Sequence, residues 1–466
     1  MLNRRNIKQL TLMIICYGIN LVFASKIDFT PVFYTLYKTS GGIWHPNKNG
    51  SANIAGVGTR ADIVLNNWIF QGEFIFNTVS GITGDPFRLS PEQGIGYRAN
   101  YRDTDGFWFE YSTMKISYTT ENAVFEFGKF NRHWGPGLSS PIISIKPPTY
   151  PQFGFDWNIN QKLKLQYFHG FLKSGIEDSV RSRLYQQVGE KQFDVPRSVA
   201  AHRLEWSPFG QLVLGASEIV IYAVRTLDVN YLIPFIPFWS IQHYLGDMDN
   251  VQMSGDITWY FNAKRKIYTV WFIDEWTPEW TFKKKDHNWF GWQAGLSWQH
   301  LFRPTDQVTI EWTWTDHRIY RHRFSVNDSY SKGYPLGFWA GPHAEELFIE
   351  YSLVLYDTRI ILSYSDTKRG QLTDQMLEDQ YNTVQYQRFS GPVNYEHLQT
   401  IDLLLKRKII NGLVIEAGVS YVLWKNAGFD PYNPNPESVK DVEKISLVIG
   451  FSYNFNYPGR NKIHYE

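Results

Sequence analysis

Residues 445–457 read Ile445-Ser446-Leu447-Val448-Ile449-Gly450-Phe451-Ser452-Tyr453-Asn454-Phe455-Asn456-Tyr457. Large apolar side chains fill every odd position, while the even positions are small or polar apart from Val448. A period of two means a β-strand with one greasy face and one small, polar face. The run exceeds the five or six residues of a usual globular strand and suits the roughly 9–11 that cross a bilayer at a tilt. The pattern recurs backwards through the chain. Leu413, Ile415, Ala417, Val419, Tyr421 and Leu423 alternate with Glu416, Gly418 and Ser420, and Leu347, Ile349, Tyr351, Leu353 and Leu355 with Glu350 and Ser352. Val308, Ile310, Trp312 and Trp314 alternate with Thr309, Glu311 and Thr313. Acids at alternate positions of apolar strands are costly in a dry sandwich core but comfortable facing a wet lumen.

Counting such runs predicts an all-β, transmembrane antiparallel β-barrel of about eighteen strands, an even number as single-chain bacterial barrels require. The connections test this independently. Two- to four-residue links, such as Asn66-Asn67, Ala263-Lys264 and Tyr356-Asp357, alternate with long ones at 38–51, 81–107, 132–151, 173–196, 225–249, 278–287, 318–342, 368–394 and 426–440. Short periplasmic turns and long outer loops are expected of this class. The 81–107 link has room for one further short strand around Ile95 to Tyr101.

Composition agrees. Aromatics make up 17% of the chain, with 18 tryptophans, while mean hydropathy is below zero, which leaves no room for helical spans beyond the N-terminal segment. There Arg4, Arg5 and Lys8 precede an apolar run from Leu10 to Phe23 and a Val22-Phe23-Ala24 signature. That is the pattern of a signal peptide cleaved near Ala24, so 1–24 is expected to be the signal, 25–466 a single barrel domain, and the bacterial outer membrane its location. Cys16, the chain's single cysteine, falls in this segment, so no disulfide or thiolate metal site is expected. Without those three cations, the remaining Lys and Arg are slightly outnumbered by 45 Asp+Glu, which argues against a nucleic-acid partner.

One block stands apart. Phe127-Gly128-Lys129-Phe130-Asn131-Arg132-His133-Trp134-Gly135-Pro136-Gly137 runs into Leu138-Ser139-Ser140 and then Lys146-Pro147-Pro148-Thr149-Tyr150-Pro151. Gly135, Pro136 and Gly137 read as a sharp turn at the rim. The block resembles the signature of the Wzi-type capsule-assembly family of outer-membrane barrels. So do Asp249-Asn250-Val251-Gln252-Met253 with Asp256 and Trp259, then Phe272-Ile273-Asp274-Glu275, and Gly337-Phe338-Trp339-Ala340-Gly341-Pro342-His343. The resemblance implies an eighteen-stranded barrel with a lectin-like site for capsular or other exported polysaccharide. Family members first associated with capsule attachment carry an N-terminal helical bundle that plugs the periplasmic mouth, and no such helices are legible here.

Sugar recognition needs aromatic faces and polar forks. The outer-loop candidates are Arg132, His133 and Trp134, with Arg318, Tyr320 and Arg321 beside His317, His322 and Arg323 in the loop after strand thirteen. For Arg132 the competing role is an ion pair with Glu126, and for Trp134 packing within the loop or girdle. Glu126, Asp274, Glu275, Glu311 and Glu350 are expected as lumen charges, with an ion pair at the rim the favoured role for Asp274 and Glu275. The apolar stretch Tyr231-Leu232-Ile233-Pro234-Phe235-Ile236-Pro237-Phe238-Trp239 either enters the barrel mouth or offers a patch to a partner. No nucleophile elbow, zinc-binding helix motif or phosphate loop is present, so no catalysis and no cofactor are expected. Surface polysaccharide, outer-membrane lipid, lipopolysaccharide and the barrel-assembly machinery are the expected partners. The rival reading is a diffusion porin whose third loop constricts an open channel.

Overall fold

The structure, a computed structural model, describes residues 26–44, 50–185, 192–276, 288–375, 388–391 and 393–455. The expected signal segment lies outside them. Eighteen antiparallel strands form a closed ring. The first nine are β1 (Lys26–Lys38), β2 (Ala52–Leu65), β3 (Trp68–Ser80), β4 (Gly106–Thr119), β5 (Ala123–Phe130), β6 (Tyr150–Asn160), β7 (Leu163–Glu177), β8 (Asp194–Phe209) and β9 (Leu212–Ala223). The second nine are β10 (Asn250–Asn262), β11 (Arg265–Glu275), β12 (Trp289–Gln299), β13 (Asp306–Thr315), β14 (Ala344–Leu355), β15 (Thr358–Gly370), β16 (Tyr395–Ile410), β17 (Leu413–Ala427) and β18 (Lys440–Tyr453). Each pairs with the next, and β18 returns to β1 from Phe33↔Tyr453 to Lys38↔Val448. Closure leaves the barrel without the free edges that invite aggregation. The short strand expected near Ile95 is Arg98–Asn100, which pairs with Phe107–Phe109 of β4 beyond the point where β5 stops. It belongs to a loop and adds no strand to the ring.

Local chemistry explains the hairpins. Tyr356 and Asp357 take φ of 47° and 60°, and Asn66 takes 52°, the positive values that let a two-residue turn match the strand twist. Next to these turns aromatic rings gather, with Trp68 4.8 Å from Tyr118, Phe209 5.9 Å from Trp259 and Phe261 5.4 Å from Trp298. They form one interfacial girdle. Above it the last strand behaves as its alternation dictates: Ile445 and Ile449 are 63% and 58% exposed on the outer wall, whereas Ser446 is fully buried towards the lumen. No helix among the described residues is long and apolar enough to cross a membrane, so the strands do the crossing.

Inside the wall, alternate positions carry ion pairs: Arg60–Glu73 at 2.6 Å, Lys164–Asp156 at 2.8 Å, Lys115–Glu126 at 2.9 Å and Arg203–Asp256 at 2.6 Å. The outer half of the lumen is filled differently. Trp134, Ile142 and Ile143 of the third outer loop and Ile319, Tyr320, Leu336, Phe338 and Trp339 of the seventh pack against inward residues Phe168, Val199, Ala201, Ile219, Ile221 and Phe272. The barrel therefore has a hydrophobic core made by its own loops.

Candidate functional site

The third loop leaves β5 and crosses the lumen. Its root is Arg132, whose guanidinium pairs with Glu126 at 2.7 Å, donates to Gln152 at 2.6 Å and lies over the rings of Phe130 and Phe168. Trp134 is 4% exposed and meets Phe168 edge-on at 5.1 Å, an aromatic contact worth about 0.5–1.5 kcal/mol beyond the area it buries. His133 donates through Nε2 to the Gly137 carbonyl at 2.8 Å, which closes the Gly135-Pro136-Gly137 turn. Burial pushes His133 down to about 4, so the imidazole is neutral at pH 7.

The tip of this loop is seated on the opposite wall. Lys266 donates to the Pro136 carbonyl at 2.8 Å, and Gln293 to the Ser139 carbonyl at 2.8 Å. Glu311 accepts the Leu138 and Ser139 backbone N–H groups at 2.7 and 3.0 Å and the Tyr268 hydroxyl at 2.7 Å. A Cβ at Gly137 would collide with Gln293 Oε1 and Glu311 Oε2, so both side chains would have to leave the positions in which they hold the loop tip. Glycine at the tip thus permits this close approach.

The seventh loop locks on top. Ser144 N–H donates to the Leu336 carbonyl at 2.7 Å, and Tyr320 Oη donates to the Pro141 carbonyl at 2.6 Å while accepting the Phe338 N–H at 3.0 Å. Tyr320 has φ of 67°, and its own N–H donates to Asp274, which also accepts from Gln252 at 3.1 Å. Lys146 ties in the second loop by donating to the Phe87, Ser90 and Glu92 carbonyls. Burial pushes its ammonium down to about 8, against the opposing pull of Asp85 and Glu92.

Against this geometry the expected residues separate cleanly. Arg132, His133, Trp134 and Tyr320 are interior struts, Glu126 pairs with Arg132, and Glu311 is the seat of the loop tip. Asp274 is held by hydrogen bonds from Tyr320 of the seventh loop and Gln252 of β10, and makes no ion pair among the described residues. Glu275 is exposed at the outer end of β11, next to the buried Asp274. Arg318 and Arg321 remain partly exposed, with Arg318 over Trp289 at 5.2 Å and Arg321 over Tyr432 at 5.3 Å. Tyr432 of the ninth loop escaped the sequence reading, because only the fold brings it to Arg321.

A second feature has no sequence signal. A cavity of about 280 Å³ runs beneath the plug along β1 and β14–β18. Trp44, Trp339 and Phe348 lend it aromatic faces; Glu346, Glu350, Asp402 and Glu416 lend acids, and Lys38 and Lys406 the bases. Glu346 accepts from Trp339 Nε1 and Ser365 Oγ, both at 2.9 Å. No group of residues suited to a metal occurs among those described.

Fold, lipid-facing belt and inward-folded loops define an outer-membrane β-barrel. No family model and no curated protein matches the chain. Among solved structures it is similar to Wzi of Escherichia coli, described as a carbohydrate-binding β-barrel involved in group 1 capsule assembly, with 16% identity, a TM-score of 0.55 and coverage of 96% of this chain and 88% of that one. It is also similar, at 12% identity, 92% and 99% coverage and a TM-score of 0.46, to OccAB3 of Acinetobacter baumannii. These likenesses concern the fold. The four stretches that resemble the capsule-assembly family are far apart in sequence, yet residues of three of them meet in the plug: Trp134 of 127–140, Phe272 and Asp274 of 272–275, and Phe338 and Trp339 of 337–343. The fourth supplies Asp256, the partner of Arg203, and Asn250, which donates to the seventh-loop Asn327 carbonyl at 3.1 Å.

Proposed function

We propose that this barrel binds exported or surface polysaccharide in a lectin-like, non-enzymatic way. The observation that carries the reading is the plug: a third loop hydrogen-bonded across the lumen and roofed by the seventh is built for a fixed surface rather than for passage. Rigid loops reduce the ordering that a flexible glycan would otherwise impose on its receptor. The recognition groups are the outer pairs Arg321–Tyr432 and Arg318–Trp289, in which a guanidinium fork lies beside a ring able to stack on pyranose C–H faces.

Pull-down of the purified barrel with the host's own capsular polysaccharide tests this. Arg321→Ala with Tyr432→Ala is expected to weaken binding about tenfold or more, a change of roughly 1.4 kcal/mol, with the fold intact. Unchanged binding would remove the site. Product release from the polysaccharide on incubation would refute the non-enzymatic part. The rival reading is a substrate-selective channel, favoured by the mixed acid and base lining of the cavity under the plug. Planar bilayers separate the two, since the lectin predicts little stable conductance and the channel predicts large, ion-selective steps.

A further inference from the structure

The fifth outer loop, residues 224–249, does not enter the mouth. It folds over the outside of the wall, because Tyr167, Ala200, Val220 and Tyr222, which Tyr231, Phe238 and Ile241 cover, alternate with the lumen-facing Phe168, Val199, Ala201, Ile219 and Ile221. We propose that this loop is a lipid-seated flap, whose outer surface contacts the acyl chains at the headgroup boundary of the outer leaflet.

Three observations converge. First, the wall beneath is unfit for lipid. His202 and Glu218 occupy the outward face that carries the exposed Leu204 and Trp206 lower down, and they pair at 2.9 Å. Such a pair facing hydrocarbon is penalised, and the flap covers it: the Phe238 N–H donates to Glu218 at 2.8 Å and its ring stacks on His202 at 4.3 Å. Second, the flap turns a new apolar surface outward in continuity with the belt, with Val229 and Phe235 each 69% exposed, Trp239 51%, and Leu227, Ile233 and Ile236 beside them. Third, much of its buried backbone is satisfied from within. Pro234 and Pro237 have no N–H to satisfy, and the N–H groups of Val224, Asp228, Asn230, Tyr231, Ile236, Ser240 and Ile241 all donate within the protein. Such internal pairing lowers the cost of seating irregular backbone at the edge of the hydrocarbon. A short helix, Phe238–Tyr244, that buries Phe238 and Ile241 and exposes Trp239 fits an interfacial position.

Single cysteines test this in a Cys16→Ser background. Val229→Cys, Phe235→Cys and, as the reference in the exposed ninth loop, Glu437→Cys would each carry an NBD fluorophore in nanodiscs holding one barrel. At Val229 and Phe235 the emission is expected to be blue-shifted and quenched several-fold more by acyl-chain nitroxide lipids than at Glu437, and several-fold less by iodide. Phe238→Ala added to Phe235→Cys is expected to release the flap and lose both differences. Iodide quenching equal to that at Glu437 would overturn the proposal. So would protection from both quenchers, which would mark burial against protein instead of lipid. Heat-modifiable gel mobility verifies the barrel in every variant.

Discussion

The Glu311 carboxylate, on β13, accepts the backbone N–H of Leu138 at 2.7 Å, although 173 residues separate them in sequence. This bond and its neighbours hold the tip of the third loop against the far wall.

Removing that seat should release the plug. Glu311→Ala removes the acceptor shared by the Leu138 and Ser139 N–H groups and the Tyr268 hydroxyl, and losing a buried acceptor of this kind costs about 1–3 kcal/mol. A loss on the order of 3 kcal/mol in denaturant unfolding is expected, with larger and more frequent conductance events in planar bilayers. Stability and conductance both at wild-type level would show that the contact does not hold the loop.

Steric fit at the tip gives a sharper contrast. Gly137→Ala puts a methyl group against Gln293 and Glu311, whereas Gly84 has nothing within 4 Å of its ideal Cβ. Overpacking is expected to cost Gly137→Ala about 1–3 kcal/mol, and Gly84→Ala to stay within about 0.5 kcal/mol of the parent. Equal effects on unfolding midpoints would contradict the close approach.

Acid should loosen the third loop. His133 lies near 4 in the folded protein, below its ordinary 6.5, because its Nδ1 is buried without a partner among the described atoms. The unfolded chain therefore takes up the proton first, so stability is lost as pH falls from about 6.5 towards 4. Hydrogen exchange of the Trp134 amide, which donates to Ile143 at 3.0 Å, should accelerate across that window. His133→Gln, which retains a side-chain donor and cannot titrate, should flatten the profile; an unaltered profile would assign the effect elsewhere.

The flap leaves the wall at a strained residue. Val224 has φ of 71° and is 76% exposed, so its branched side chain gains little from burial while the left-handed backbone costs roughly 1–2 kcal/mol. Val224→Gly is expected to raise the unfolding midpoint by up to that amount. A lower midpoint would show that the valine packs against something the strain argument ignores.

Most of the ring was legible because each strand reports its own two faces. The alternation at 445–453, at 413–423 and at 347–355 marks lipid and lumen residue by residue, and turns such as Tyr356-Asp357 mark the ends. The ends of β7 and β8 were less clear: they run to Glu177 and from Asp194, where lumen and flap contacts replace the simple apolar code. Arg132 was correctly suspected of pairing with Glu126, since the two lie close in sequence on one lumen-facing side. The fifth loop was not placed, because its apolar residues are equally suited to a barrel mouth or an outer wall. Only the orientation of Tyr167, His202, Glu218 and Tyr222 chooses between them.

What the sequence by itself determined is therefore the barrel, its approximate strand number and, along the clearest strands, the inward or outward sense of the wall residues, all consequences of a local period of two. What only the tertiary structure decided is where the loops go. Trp134 and Tyr320 look like surface residues in one dimension and prove to be the core, because their partners Phe168, Pro141 and Phe338 belong to strands and loops brought together only when the ring closes. Arg321 and Tyr432 became a candidate glycan site by the same closure.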